Sequence, residues 1–262
     1  MFGLFEGSYV SMGLWVVAMV VLAVGGMFLV RKYCSHEIMQ EHHAVAGPFL
    51  SIIATLYAVV VGFIVVDSMN NFQSARLNVE REANCIHDLW HLAQGVPDPL
   101  QTEVRKLCIE YADTMVNYEW PSMASGSMGD QGHLVFTRLW HGVTRYQPKN
   151  DADSMFLSQM VNELQTAGDC RHSRLLAAQS VYDPAIWLVV GVGSVITIVF
   201  TYFFGVQNIK IQALMTALVT IVLTLNLVAI DMFSTPFSGD VRVSPRAFQS
   251  DLDYFQNELH EK

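Results

Sequence analysis

The sequence predicts an all-α, polytopic membrane protein with four transmembrane helices and a helical soluble bundle inserted between the second and third spans. The first observation is composition, since the 262 residues are 52% hydrophobic and 15% charged, whereas soluble domains carry roughly 25% charged residues. The second is that four stretches of 20 to 23 residues contain no charge, and each is long enough to cross a bilayer core of roughly 30 Å. The third is a helical period in the polar segment between them. The charge-free stretches are 9–30, 44–66, 184–206 and 211–230.

These stretches divide the chain into regions. The first lacks the basic start and short apolar core of a secretory signal and is followed by Arg31 and Lys32, so a retained span is predicted rather than a cleaved leader. Only residues 207–210 separate the third and fourth spans, which forces an antiparallel helical hairpin. The predicted regions are transmembrane helices 1 and 2 over 1–66, a helical extramembrane region over 67–183, a transmembrane helical hairpin over 184–230, and a C-terminal loop and short helix over 231–262.

The second span is predicted to continue unbroken as an amphipathic helix to about Gln94, because the polar segment 67–71 contains no Gly or Pro and apolar residues recur at helical steps after it. Further helices are predicted from Pro99, over about 133–146 and over about 150–180. Three sets of apolar residues are each expected to share one helix face. They are Phe72, Ala75, Val79, Ile86, Leu89 and Ala93; Leu100, Val104, Leu107, Tyr111, Met115 and Tyr118; and Phe248, Leu252 and Phe255.

The distribution of charged residues leaves the orientation of the protein in the membrane open. Lys and Arg in short loops tend to stay cytoplasmic, so Arg31 and Lys32 favour an outside N-terminus. A second set of basic residues flanks the other membrane face and favours the reverse. The central region 67–183 holds 15 acidic and 9 basic residues, which excludes a nucleic-acid surface and a polybasic lipid patch. The second set is Arg76, Arg81, Arg171, Arg174, Arg242 and Arg246.

Candidate metal ligands and cysteines form no recognised motif. His87 and His91 lie four apart on a predicted helix, but spacing fixes no third ligand. They can be a hydrogen-bonded helix face or part of a metal site. A second set near the first span is either a solvated loop or a transition-metal site. No metal site, cofactor or catalytic residue is predicted, and the protein is not expected to be an enzyme. That second set is Cys34, His36, Glu37, Glu41, His42 and His43. The cysteines are expected to be reduced and buried or to form one disulfide, and the other three are Cys85, Cys108 and Cys170.

Within the spans there are polar residues but no Asp, Glu, Lys or Arg, which argues against proton relays and voltage sensing. The polar side chains either pack helices together or line a weakly polar path. Asp67 and Asp231 sit where the second and fourth spans end. In an oligomer each can form a carboxylate ring at a pore mouth, or each is an edge residue that reaches water. The polar residues are Tyr57, Thr197, Thr201, Thr216, Thr220, Thr224 and Asn226.

Several short segments spread over the chain carry a resemblance to a known family. The most specific is Pro-Phe-Ser-Gly-Asp-Val-Arg-Val-Ser-Pro over 236–245. On these segments the chain resembles a bestrophin-like domain-of-unknown-function family of bacterial integral membrane proteins and, more distantly, the bestrophin ion channels. The residues that carry the resemblance include His43, Gly47, Arg76, Glu80, Trp120, Pro121, Pro236, Phe237, Gly239, Ser244 and Pro245.

The resemblance implies a homo-oligomeric ion channel in the lipid bilayer of the bacterial inner membrane, with the second transmembrane helix lining the pore. Ions would pass an apolar constriction, which can gate by dewetting. Asp67 would bias the pore mouth towards cations. The alternative is a non-conducting sensor or assembly scaffold that acts through its extramembrane helices. The pore-lining candidates are Ile52, Ile53, Leu56, Val60, Phe63 and Asp67.

Overall fold

The computed structural model describes residues 8–33, 36–127, 129–179, 183–204 and 208–260, with side chains except at 36–46 and 260. This part of the chain is helical and contains no strand, which confirms the all-α class. The candidate ligand set that includes His42 and His43, left open as a solvated loop or a metal site, lies outside the described side chains. The helices are α1 Tyr9–Tyr33, α2 His36–Leu92, α3 Leu100–Thr114, α4 Trp120–Ala124, α5 Gln131–Thr144, α6 Asp151–Gln179, α7 Pro184–Tyr202, α8 Ile209–Ser234 and α9 Arg246–His260.

Four helical stretches are long and apolar enough to cross a membrane, as predicted: α1, the part of α2 that begins at Gly47, α7 and α8. Helix α2 has 57 residues, or about 85 Å at 1.5 Å per residue. It runs without interruption into a 3-10 turn at Ala93–Gly95. The chain forms two compact units, which we call the membrane unit (residues up to 71 and 183–234) and the extramembrane unit (72–179 and 235–260).

The membrane unit packs through small and hydroxyl-bearing residues. Met12 of α1 is buried against Val228 of α8, and Gly26 of α1 leaves room for the Tyr202 ring of α7. The Thr220 hydroxyl donates to the Thr216 carbonyl one turn earlier, at 2.8 Å. Both threonines are buried. The Thr216 hydroxyl lies 3.2 Å from the Thr201 hydroxyl of α7. Thr216 and Thr220 thus contribute to helix packing within this unit, because their hydroxyls are satisfied inside it.

Tyr57 joins α2 to α7. Its hydroxyl donates to the Val190 carbonyl at 2.7 Å and lies 2.6 Å from the Ser194 hydroxyl. Its ring covers Gly193 so closely that a Cβ there would overlap the ring. A glycine at this position therefore permits the close approach of the two helices, as small residues do in membranes.

Gly193→Ala is expected to lower the thermal midpoint of the purified protein, because overpacking of this kind typically costs about 1–3 kcal/mol. Gly191→Ala is the matched control, since a Cβ at Gly191 meets nothing within 4 Å. Thermal unfolding of both variants in the same detergent measures the difference. Equal midpoints for the two variants would contradict the assigned contact.

The extramembrane unit encloses one apolar core. Helix α2 contributes Ile86, Leu89 and Trp90, all fully buried, and α9 covers them with Phe248 and Phe255. The predicted apolar faces of α2 and α9 are confirmed. The remaining buried side chains of this core come mainly from α3 and the turn that follows it, α5 and α6, among them Val104, Tyr111, Met115, Leu139, Val143, Met160 and Leu164.

The apolar face predicted for the helix that begins at Leu100 is wrong at one position, because Tyr118 is 53% exposed. A π-helical turn over Met115–Glu119 follows α3. It holds more residues per turn than an α-helix, so the inward position passes from Tyr118 to Glu119. A carboxylate therefore enters the core where the α-helical period predicts a tyrosine.

Candidate functional site

One face of α2 in the membrane unit is an apolar stripe that its own chain leaves uncovered. Ile52, Leu56, Val60 and Phe63 are exposed, with Phe63 at 73%. They recur at three- and four-residue steps, so they share one side of the helix. Ile53, predicted with them, is half-buried. We call Ile52, Leu56, Val60 and Phe63 the α2 stripe.

The opposite face of α2 is fixed within the chain. Val61 is buried against Val190 of α7 and Ile230 of α8, beside the Tyr57 contact. This packing sets the rotation of α2 about its axis, and the α2 stripe therefore points away from α7 and α8.

Asp67 follows the α2 stripe one turn after Phe63. Its carboxylate is exposed and accepts from the Asn71 side-chain amide at 3.3 Å. Asp231, the other predicted mouth residue, is buried with 5% exposure. Of the two carboxylates, only Asp67 lies on the open side of a single chain.

The extramembrane unit contains a buried ionic cluster, which we define as Glu82, Glu119, Arg171 and Arg174. Arg174 Nε donates to Glu82 Oε2 at 2.7 Å, and its Nη2 donates to Glu82 Oε1 at 3.1 Å. Arg171 makes a second two-pronged pair with Glu119, at 2.8 Å for each contact. The two pairs are linked by Arg174 Nη2 and Glu119 Oε2 at 3.6 Å.

Charges in this cluster balance, and its hydrogen bonds hold them in place. Tyr111 donates to Glu82 Oε1 at 2.5 Å. Burial and the adjacent Glu82 raise the pKa of Tyr111 well above its ordinary value, so the phenol stays a neutral donor. Burial by itself would lower the pKa of Arg174, but Glu82 and Glu119 hold it above its ordinary value. Each of the two buried guanidiniums is thus paired with carboxylate oxygens inside the core.

The segment with the most specific family resemblance packs beside this cluster. Trp120 Nε1 donates to the Val243 carbonyl at 3.0 Å, and its ring lies edge-on to Phe237. The Arg174 guanidinium stacks over the Trp120 ring, 5.2 Å from its centre. Gly239 takes a positive φ of 77°, which glycine adopts without strain. These motif residues therefore help to build the extramembrane unit.

Arg171 and Arg174, predicted from the sequence to flank the membrane, are both buried in ion pairs of the extramembrane unit. A sequence signal for the cluster does exist. Glu82 lies three residues after Val79 and four before Ile86, which places it on the apolar face of α2.

Predicted ligand residues elsewhere are placed as follows. The Cys85, Cys108 and Cys170 thiols are free and buried, and burial, with Glu163, raises the pKa of Cys85 to about 12. His87 Nδ1 lies 3.1 Å from Asp251 Oδ1 of α9. Burial raises the pKa of Asp251 to about 6, although His87 opposes the shift. Within the part of the chain that the structure describes, no three His, Cys, Asp or Glu side chains lie close enough to hold a metal together.

Comparisons with known proteins agree with this architecture. The sequence profile of the Bestrophin-like domain matches residues 17–248, which is most of the chain. No curated protein sequence matches this chain. Among solved structures, a bacterial bestrophin homologue from Klebsiella pneumoniae, studied as a point variant, has a TM-score of 0.64 at 11% identity, covering 94% of this chain and 99% of that chain. Another variant of that homologue has a TM-score of 0.65 at 11% identity, covering 96% and 98%.

A crystallised variant of a membrane protein gives a TM-score of 0.68 at 10% identity, with 94% of this chain and 99% of that chain covered. Likeness at such low identity shows a shared fold. The four apolar helices and the profile match make this a multi-pass integral membrane protein. With a profile that spans both units, the chain belongs to the Bestrophin-like domain family.

Proposed function

We propose that the protein is an ion channel of the bacterial inner membrane, formed by several copies of the chain around a pore that α2 lines. The α2 stripe carries the proposal. Its residues are apolar, exposed and followed by the exposed carboxylate of Asp67, whereas the other side of α2 is fixed by Tyr57 and Val61. In an oligomer, the α2 stripes of all copies would face one central axis. They would form an apolar constriction there, of the kind that gates by dewetting.

From Ile52 to Asp67 the helix rises about 22 Å at 1.5 Å per residue, a length comparable to most of the hydrocarbon core. A constriction of that length with a carboxylate ring at one end would disfavour hydrated anions. The proposed pore therefore conducts cations passively, since the spans lack the ionisable groups that pumps use.

Recording from the purified oligomer in planar bilayers tests this function. We expect single-channel steps whose reversal potential in a salt gradient favours cations. In Asp67→Asn the reversal potential is expected to move towards zero, because neutralising the ring removes the local attraction for cations. Asp253→Asn is the control, as Asp253 is an exposed carboxylate of α9 and should leave selectivity unchanged.

Two results would contradict the proposal. One is a monomeric mass in detergent and in lipid nanodiscs, because one α2 cannot enclose a pore. The other is an intact oligomer that stays silent across cations and anions, which would favour the sensor or scaffold alternative.

A further inference from the structure

His87 and His91 lie one turn apart on α2, and the Nε2 atoms of their imidazole rings approach each other. The two Nε2 atoms are 3.2 Å apart, and the ring centroids are 4.8 Å apart. His91 is exposed and His87 is half-buried, so the space in front of the nitrogens opens to solvent. We propose that this pair binds one divalent transition-metal ion, Zn²⁺ or Cu²⁺, through the two Nε2 atoms.

The two distances fit a shared ion better than a hydrogen bond. With metal–nitrogen bonds of about 2.05 Å, a separation of 3.2 Å between the nitrogens gives an N–metal–N angle of roughly 100°, between square-planar and tetrahedral values. Rings aimed at such an ion have centroids about 5.0 Å apart, whereas a straight N–H···N bond of the same length would put them about 5.5 Å apart. The observed 4.8 Å is closer to the value for a shared ion.

Asp251 prepares His87 for this role. A carboxylate accepts hydrogen bonds, so the contact of 3.1 Å between Asp251 Oδ1 and His87 Nδ1 places the imidazole proton on Nδ1. The Nε2 atom of His87 then carries the free lone pair that a metal requires. A carboxylate bonded to the far nitrogen of a ligating histidine is the usual outer shell of such sites, and it fixes the tautomer and the ring orientation.

Ring packing restricts the histidines further. The His87 ring packs against the rings of Tyr254 and Phe255 of α9, with centroid distances of 5.0 Å and 5.8 Å. His91 also contacts the Tyr254 ring, at 5.8 Å. Two protein nitrogens leave the remaining coordination positions to water. Imidazole ligands suit Cu²⁺ and Zn²⁺, with Cu²⁺ the tighter of the two.

An ion at this position would strengthen the contact between α2 and α9. It would hold His87 as the donor to Asp251, and an ion that binds the folded state alone raises the stability of that state. This inference does not depend on the proposed pore, because binding and stability are measured without ion conduction.

Calorimetric titration of ZnCl2 into the tag-free full chain in detergent, in a buffer without imidazole, tests the site. We expect one saturable Zn²⁺ per chain and a rise in thermal midpoint with added Zn²⁺. His91→Gln is expected to abolish both effects, and because His91 is exposed this variant should keep the fold. Asp251→Asn is expected to weaken Zn²⁺ binding by about 10- to 100-fold, the usual effect of losing an outer-shell partner.

His141→Gln is the control, since His141 is an exposed histidine of α5, and it should bind Zn²⁺ as the unmodified chain does. With Cu²⁺, the electron paramagnetic resonance spectrum should show coupling to two nitrogens in the unmodified chain and lose it in His91→Gln. Absence of saturable Zn²⁺ binding below about 1 mM, or binding that His91→Gln leaves intact, would overturn the site.

Discussion

Arg174→Ala is expected to lower the free energy of unfolding of the extramembrane unit by about 3–5 kcal/mol, the usual effect of removing one partner from a buried ion pair. Arg174 is fully buried and neutralises Glu82 through two hydrogen bonds. After truncation, Glu82 would stay in the core with only the Tyr111 hydroxyl as a donor. The cluster would then hold two carboxylates and one guanidinium, which leaves an uncompensated negative charge in the buried core.

Denaturant unfolding of the full chain in detergent, followed by tryptophan fluorescence, measures this loss. Arg76→Ala is the matched control, because Arg76 pairs with Glu80 at 2.9 Å while their side chains are 66% and 46% exposed. Exposed pairs of this kind contribute about 0.3–0.5 kcal/mol. If the free energy of unfolding fell by a similar amount in the two variants, the cluster would not stabilise the core as proposed.

Removing both partners separates charge imbalance from lost packing. In Glu82→Leu combined with Arg174→Met the remaining Arg171 and Glu119 are still balanced and still joined by two bonds. Replacing a buried pair by apolar residues of similar size is often close to neutral. We therefore expect the double variant to be more stable than Arg174→Ala, and a loss equal to the sum of the two single changes would contradict a coupled pair.

The contrast between the spans and the ionic cluster shows what a single sequence reveals. Four membrane-crossing helices could be predicted because each is a long apolar run, and the unbroken α2 could be predicted because its apolar period continues past Asp67. The cluster could not be assembled from the sequence, since its carboxylates and guanidiniums come from α2, the π-helical turn and α6. These segments are far apart in the sequence, so their order along the chain does not indicate that the charged side chains pair.

Glu119 illustrates the physical reason. An α-helical period from Met115 predicts Tyr118 inside, and the π-helical turn places Glu119 there instead. The carboxylate is stable in that position because Arg171 binds both of its oxygens. The local backbone and the distant arginine determine the inward residue together, so neither segment alone predicts it. For the α2 stripe the family resemblance was more informative, because it gave Ile52, Leu56 and Val60 as pore-lining candidates, and all three are exposed in the single chain.

Phe63→Asn is expected to raise the mean current through the proposed pore on the order of tenfold, equivalent to about 1.4 kcal/mol. A polar ring at the constriction would be wetted more easily, and every copy in the oligomer contributes one such change. The fold should tolerate it, because Phe63 is exposed in the single chain. Leu14→Asn is the control, since Leu14 is equally apolar and exposed, but on α1. If both variants changed the current alike, or if Phe63→Asn left it unchanged in an intact oligomer, the residues facing the pore would have to come from another helix.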